Sequence, residues 1–284
     1  MESKVLEIDP QAFRAYFNRT PFPIRHRLQQ HPLFALQRLA ELSQRLPPNF
    51  VEYNAGNLPV GLDPKLTPQN GLSAAETVRR IEECGSWMVL KRVEQDQEYR
   101  ALLDECLDEI GAHARELSPP MFDQQGFIFI SSPGAVTPFH IDHEYNFLLQ
   151  IRGSKRVNIW DADDRFVLPE EKLESFYSDF VHRNLPWRDD FQGTARVHAL
   201  APGDGLHFPV TVPHWVKNGP EVSVSFSVTF RTAESERRER LFKANARLRK
   251  LGLEPTPVGA SPLVDATKAL ASEAVLRVKR IFGR

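Results

Sequence analysis

Six short β-type segments follow one another between residues 127 and 230, and this run limits the possible folds more than any other feature of the chain. The segments are 127–131, 145–151, 156–160, 195–200, 206–209 and 222–230. Turn residues such as Pro133-Gly134 and Gly153-Ser154 separate them, without helical patterns in between. Short strands joined in this way pair antiparallel and close into a sandwich or barrel. The sequence therefore predicts a mainly β core.

Helical patterns flank this core on both sides. Ser73 and Glu76 have the spacing of a capping box at the start of a helix predicted over 73–84. A buried strand over 87–90 and a helix over 97–117 follow, and after residue 233 two more helices are predicted, one ending at Lys250 and one over 262–282. We predict three regions: a helical and wrapping region over 1–118 with one or two strands that join the barrel, the barrel over 119–231, and a helical extension over 232–284.

The charge balance gives no general case for a nucleic-acid partner. The formal net charge is −1, with 36 basic and 37 acidic residues. From Arg231 onward 13 Lys and Arg face 6 Asp and Glu, but these cations alternate with Glu on two amphipathic helices and predict solvated faces. The longest uncharged run, 124–141, is broken by Gly, Pro and Ser, which excludes a membrane span there. Two cysteines are too few for a disulfide scaffold and favour a cytoplasmic protein.

One of the nine histidines has a carboxylate two residues further on. His140 and Asp142 would point to the same face of a strand, where an imidazole and a carboxylate can bind one ion. A second histidine would complete the two-His, one-carboxylate triad that leaves coordination positions of Fe(II) open. His214, close to the last strands of the sheet, is the candidate third ligand.

The residues around this motif carry a family resemblance. The segments 134–142, 146–156 and 202–209, with His214 after them, resemble the JmjC/cupin-like family of Fe(II)- and 2-oxoglutarate-dependent oxygenases. The similarity covers roughly 127–230 and is closest to the branch that contains the asparaginyl hydroxylase inhibiting hypoxia-inducible factor. It implies a double-stranded β-helix, which is a jelly-roll, cupin-like barrel, with N-terminal helices and a helical C-terminal extension. It also implies Fe(II) ligation by His140, Asp142 and His214.

The same resemblance implies a set of cosubstrate residues. Thr137 and Lys155 match the positions that bind the distal carboxylate of 2-oxoglutarate, and Asn146 matches a polar position near the cosubstrate. Ser227 stands where the asparaginyl hydroxylase has asparagine, which leaves the secondary contacts of the cosubstrate open. The hairpin turn at Gly153-Ser154 independently favours placing Lys155 on a neighbouring strand near the metal.

Together these observations predict a 2-oxoglutarate-dependent dioxygenase that hydroxylates a protein side chain or a small molecule and releases succinate and CO2. Two alternatives remain: a non-catalytic cupin-like module that binds a metal or ligand, and a cupin-superfamily metalloenzyme such as an isomerase. The acidic, aromatic stretch over 161–194 either grips a basic or peptidic substrate or packs on its own aromatics. His207 is either a pocket residue or a barrel-lining side chain. The apolar positions of the last helix predict a homodimer through the C-terminal helices.

Overall fold

A computed structural model of the chain describes residues 4–63, 66–178 and 183–281, with side chains described up to residue 272. Its strands are β1 (Leu6–Glu7), β2 (Phe22–His26), β3 (Val51–Ala55), β4 (Ser86–Lys91), β5 (Phe122–Ser131), β6 (Val136–His140), β7 (Tyr145–Arg152), β8 (Lys155–Ile159), β9 (Arg196–Leu200), β10 (Asp204–Phe208), β11 (His214–Asn218) and β12 (Ser223–Arg231). Its α-helices are α1 (Pro10–Tyr16), α2 (Leu36–Arg45), α3 (Ala74–Arg79), α4 (Gln97–Ala114), α5 (Glu170–Ser178), α6 (Ala233–Lys250) and α7 (Pro262–Ile281).

The strands form two antiparallel sheets. The large sheet has eight strands in the order β1-β2-β10-β7-β12-β5-β4-β3, and the small sheet has four in the order β6-β11-β8-β9. This arrangement confirms the predicted mainly β, cupin-like barrel. The first 118 residues contribute four strands to the large sheet, β1 to β4, which is more than the one or two expected.

Strict alternation along the central strands separates two buried faces of the large sheet. On β12 the apolar side chains Val224, Phe226, Val228 and Phe230 join one core with residues of α1, α2 and α4. The polar side chains between them, among them Ser225 and Ser227, are also buried and therefore lie on the opposite face. That inner face, together with the small sheet, encloses the interior of the barrel.

The predicted helices are present, with changed ends. α3 begins with the capping box of Ser73 and Glu76, as predicted, but stops at Arg79. α4 runs from Gln97 to Ala114, and α6 ends at Lys250. The last helix begins at Pro262 as expected, whereas its apolar positions beyond residue 272 lie outside the described side chains.

The chain divides into two compact units, and the first, Met1–Ala162 with Asn184–Arg231, carries both sheets. The second unit, Asp163–Arg183 with Thr232–Arg284, carries α5, α6 and α7. α5 interrupts a stretch that was predicted to lack helices. Within the second unit Tyr177 stacks on Phe242 at 5.6 Å, and Arg249 donates to both carboxylate oxygens of the buried Glu174 at 2.8 and 3.1 Å. Part of the acidic, aromatic stretch thus packs on a C-terminal helix.

None of the helices in the described residues is long and apolar enough to cross a membrane.

Candidate metal and cosubstrate site

A cavity between the two sheets brings together all seven residues that the sequence marked as a site. Its walls are formed by Trp87, Phe129, Ser131, Thr137, His140, Asp142, Asn146, Leu148, Lys155, Phe208, His214, Val216, Asn218 and Ser227. The small sheet supplies the two histidines, Thr137 and Lys155, whereas β7 and β12 of the large sheet supply Asn146 and Ser227.

His140 and His214 meet because β6 and β11 are neighbours, and the two residues are paired directly across these strands. Their ring centroids lie 4.1 Å apart, and both side chains are buried. The Nε2 atoms lie 3.6 Å and 3.7 Å from Asp142 Oδ2. One ligand atom from each of the three residues lies within 4.8 Å of the others, a separation that one metal ion can bridge.

Backbone carbonyls determine which ring nitrogen of each imidazole carries the proton. His140 Nδ1 lies 2.7 Å from Pro138 O, and His214 Nδ1 lies 2.9 Å from Val212 O. A carbonyl only accepts hydrogen bonds, so each Nδ1 carries the proton and each Nε2 presents a lone pair. Two lone pairs and a carboxylate then converge on one point, which suits a cation. A facial set of this kind leaves other coordination positions available.

Asp142 is not positioned by the alternation of side chains along a strand. β6 ends at His140, so Asp142 lies two residues beyond the strand. Its backbone carbonyl accepts a hydrogen bond from the amide of Thr211 at 3.0 Å. Thr211 is fully buried and has a φ of 58°, in the left-handed region that β-branched residues avoid. A strained loop between β10 and β11 therefore holds the carboxylate residue in place.

Lys155 is a buried cation on β8, which is separated from β6 by β11 in the small sheet. It begins β8, directly across from Asn218 of β11, and only 6% of the residue is exposed. No carboxylate lies within ion-pair distance of its ammonium in the described part of the chain, and burial lowers its pKa from 10.5 to about 7. A buried ammonium without an anion is costly to keep charged. This site therefore suits an anionic ligand that enters the cavity.

The turn before Lys155 is fixed by Gln150. The fully buried amide of this residue donates to the carbonyl oxygens of Arg152 at 2.7 Å and Gly153 at 2.9 Å, and its own oxygen accepts from Ser225 Oγ at 2.8 Å. Gly153 has a φ of 66°, and a Cβ there would lie 2.4 Å from Val222 O. The hairpin thus requires glycine at this position and places Lys155 in one register.

Several buried polar atoms of the cavity wall have no hydrogen-bond partner among the described residues. They are Trp87 Nε1, Asn146 Oδ1, Asn218 Oδ1 and Ser227 Oγ. Leaving one such atom unsatisfied costs about 1–3 kcal/mol, so four in one cavity indicate a place for a polar ligand. The residues present therefore fit both a divalent metal ion and an anionic cosubstrate.

His207 lies on the other face of the large sheet. Its ring stacks on Phe147 at 4.3 Å and packs against Phe17 and Phe22. Nδ1 donates to Asn146 O at 2.9 Å, Nε2 accepts from the amide of Asn18, and burial lowers the pKa of the imidazole to about 3. It is thus a neutral histidine of the outer core, and the structure supports neither the predicted pocket role nor the predicted barrel-lining role.

Sequence reasoning missed the other half of the cavity wall. Trp87, Phe129, Ser131 and Phe208 were assigned only to strands, and Asn218 only to a turn. The signal that places Trp87 inside is the period of two along β4, because Met88 and Leu90 belong to the outer core.

Three comparisons with known proteins agree with this geometry. Residues 118–237 match the family model of the JmjC domain. Over 107 residues the chain is 32% identical to lysine-specific demethylase 8 of Xenopus tropicalis. This stretch makes up 34% of the chain and 22% of the demethylase, so the chain spans about a fifth of that relative's length.

Solved structures of a bacterial protein share the fold. An X-ray structure of Escherichia coli ycfD has a TM-score of 0.55 at 19% identity, with 97% of this chain and 69% of that chain covered. The structure of YcfD described as a ribosomal oxygenase in complex with cobalt and 2-oxoglutarate has a TM-score of 0.52 at 17% identity, with 96% and 68% covered. The match over 118–237 shows that this part of the chain is similar to a JmjC domain, and the sheet topology above is that of a cupin-like double-stranded β-helix.

Proposed function

We propose that the chain is an Fe(II)- and 2-oxoglutarate-dependent oxygenase. The observation that carries this proposal is the presence, in one cavity, of a two-His, one-carboxylate cluster and a buried lysine without an anionic partner. The first suits a divalent metal and the second suits the distal carboxylate of a 2-oxo dicarboxylic acid. The likeness to a domain family and to a fold that also occurs with cobalt and 2-oxoglutarate bound supports the same conclusion.

Each group of residues then has a defined task. His140, Asp142 and His214 hold the metal, and Fe(II) held there supplies the activation of O2. Lys155 and Thr137 bind the distal carboxylate of 2-oxoglutarate and fix its orientation. The overall reaction consumes substrate, O2 and 2-oxoglutarate and gives hydroxylated substrate, succinate and CO2.

The remaining walls separate this chemistry from water. Asn146 Oδ1 and Ser227 Oγ are buried polar atoms of the large sheet, available to the cosubstrate or to a water bound with it. Leu148, Phe208 and Val216 give the rest of the wall an apolar surface and belong to the inner core. An apolar wall strengthens the pairing of Lys155 with a carboxylate, because fewer water molecules compete for either group.

The primary substrate is a protein side chain or a small molecule. The resemblance to an asparaginyl hydroxylase makes an asparagine side chain one candidate, and the likeness to a lysine-specific demethylase makes a methylated lysine another. Hydroxylation of a methyl group on nitrogen is the first step of demethylation, so both outcomes require the same cavity residues. A screen of peptides and metabolites with the iron-loaded protein, read as mass gains of about 16 Da or losses of about 14 Da, distinguishes them.

The decisive experiment measures succinate. The purified protein is loaded with Fe(II) without oxygen, mixed with 2-oxoglutarate and the peptides and metabolites of the screen, and then exposed to O2. We expect iron-dependent succinate that is lost in Asp142→Ala and retained in His113→Ala, a histidine on α4 outside the cavity. Tight binding of both ligands without any succinate would instead support the non-catalytic module, and binding of metal alone would support another class of cupin metalloenzyme.

A homodimer through the C-terminal helices and a cytoplasmic location remain predictions. Leu263 and Leu270, seven residues apart on α7, are 79% and 68% exposed, which supports a partner surface on that helix. We expect deletion of residues from Pro255 onward to halve the mass measured by light scattering. An unchanged mass would contradict the dimer.

A further inference from the structure

The indole of Trp87 is a second buried donor in the cavity that holds Lys155. Trp87 is only 7% exposed, and its Nε1 has no hydrogen-bond partner among the residues that the structure describes. Met88 and Leu90, its neighbours on β4, pack in the outer core, so Trp87 lies on the inner face of the large sheet. There its ring centroid is 6.3 Å from that of Phe129, which also lines the cavity.

The chemistry of the two donors restricts what can lie between them. An indole N–H and an ammonium both donate hydrogen bonds and cannot accept them. While Lys155 is charged, Trp87 and Lys155 therefore cannot satisfy each other, and only an acceptor can satisfy both. Asn218 offers one acceptor, because its Nδ2 donates to Ala135 O at 3.0 Å and its Oδ1 is left over, but an ammonium has three hydrogens to place.

A carboxylate fits this arrangement because it presents two oxygens and no donor. One oxygen can pair with the ammonium while the other accepts from the indole. A hydrogen bond to a charged acceptor is among the stronger ones in proteins, and burial at this position removes competing water. The alternative is that the protein leaves an indole N–H unsatisfied in its interior, which native structures rarely do.

We propose that Trp87 Nε1–H donates a hydrogen bond to the distal carboxylate of 2-oxoglutarate and so helps to select a 2-oxo acid with a second carboxylate. This inference rests on the proposed function of the same cavity. It adds a specificity residue from the large sheet to Lys155 and Thr137 of the small sheet. The cosubstrate would then be held across the barrel, between the two sheets.

The test compares two ligands that share the 2-oxo acid group. Pyruvate has the atoms that face the metal but lacks the distal carboxylate, whereas 2-oxoglutarate has both. Binding of each is titrated into the full chain loaded with Mn(II), for wild type, Trp87→Phe, Lys155→Ala and Trp187→Phe. The last is a matched control, since Trp187 Nε1 donates to Asp189 at 2.9 Å and lies outside the cavity.

We expect Trp87→Phe to weaken 2-oxoglutarate binding about 10-fold and pyruvate binding less than about 2-fold, with Trp187→Phe unchanged for both. Equal weakening for both ligands would show that Trp87 acts only through packing and would overturn the inference. Unchanged 2-oxoglutarate affinity in Trp87→Phe, with a loss in Lys155→Ala, would overturn the inference and leave the proposed function intact. Absence of 2-oxoglutarate binding in wild type would refute the proposed function itself.

A second measurement uses the wild-type protein and does not depend on the stability of the variant. The chain has four tryptophans, so a 15N-labelled, Zn(II)-loaded sample gives four indole N–H signals. We expect the Trp87 signal, assigned with single Phe variants, to move downfield on addition of 2-oxoglutarate and not of pyruvate. A Trp87 signal that responds equally to the two acids would overturn the inference.

Discussion

The buried ammonium of Lys155 makes cosubstrate binding depend on pH in a calculable way. In the ligand-free protein burial lowers the pKa of Lys155 from 10.5 to about 7, and the described residues supply no carboxylate to counter this. The unfolded chain therefore binds more protons than the folded one between pH 7 and pH 10.5. It follows that the free energy of unfolding of the ligand-free protein rises with pH across this window.

Binding of a dicarboxylate reverses the shift. The distal carboxylate pairs with the charged form, so the pKa of Lys155 rises in the complex, and above pH 7 binding takes up a proton. The observed affinity then falls in proportion to the charged fraction of Lys155 in the free protein. Between pH 7 and pH 8.5 this predicts a roughly 15-fold loss of affinity, and uptake of about 0.9 proton at pH 8.

Calorimetric titration of 2-oxoglutarate into Mn(II)-loaded protein, in two buffers with different ionisation enthalpies, measures affinity and proton uptake together. Lys155→Met should bind weakly and show no slope over this range. Thr137→Val provides a matched control, because it removes a hydroxyl from the same end of the cavity without removing a titrating group, and should bind more weakly with the slope retained. The same slope in Lys155→Met would refute the assignment of this proton to the lysine.

Three further predictions concern the metal, the hairpin and the second unit. His214→Ala should weaken Co(II) binding by at least about 100-fold in a spectroscopic titration while His113→Ala does not, and equal affinities would exclude His214 as a ligand. Gln150→Leu leaves the carbonyls of Arg152 and Gly153 without their donor, so urea unfolding should show a free energy of unfolding lower by about 2–4 kcal/mol. Binding of 2-oxoglutarate should also weaken more than binding of the metal. A decrease in the free energy of unfolding of less than about 1 kcal/mol would contradict this role of Gln150. Arg249→Met leaves the carboxylate of Glu174 buried without its partner and should lower the free energy of unfolding by about 3–5 kcal/mol in the same assay. Arg188→Met, which breaks the exposed pair with Asp190, should lower it by less than about 1 kcal/mol. Similar decreases for the two variants would contradict the importance of burial.

The barrel could be predicted because its strands are short, regular and bounded by turn residues. The spacing of apolar residues gave six of its strands to within a few residues, and the capping box of α3 was visible directly. The buried strand over 87–90 was also predicted and is β4, but β1 to β3 were harder, since β2 and β3 contain or follow prolines and none of the three alternates clearly in sequence. These strands are stabilised by pairing with strands far along the chain, as β2 pairs with β10, and the local sequence does not indicate which strand is the partner.

The site was predictable in composition and only partly in geometry. Spacing alone brought His140 and Asp142 together, but the supposed strand ends at His140, and the carboxylate residue is placed by the backbone of Thr211. That contact spans nearly seventy residues and depends on a left-handed threonine, which no local pattern indicates. Gln150 is similar, because it lies four residues after Asn146 in the recognised segment, yet its role becomes visible only once the turn is folded around its amide.

The polar face of β12 shows why the cavity cannot be explained by stability alone. Its sequence alternates Ser and Thr with Val and Phe, and both sets are buried. Apolar residues at the inner positions would remove unsatisfied atoms such as Ser227 Oγ, and small hydroxyls there leave space instead of filling it. Ser225 is accounted for, since it donates to Gln150 and supports the hairpin that carries Lys155. Ser227 has no such protein partner in the part of the chain described, so its hydroxyl is best understood as a contact kept for whatever the cavity binds.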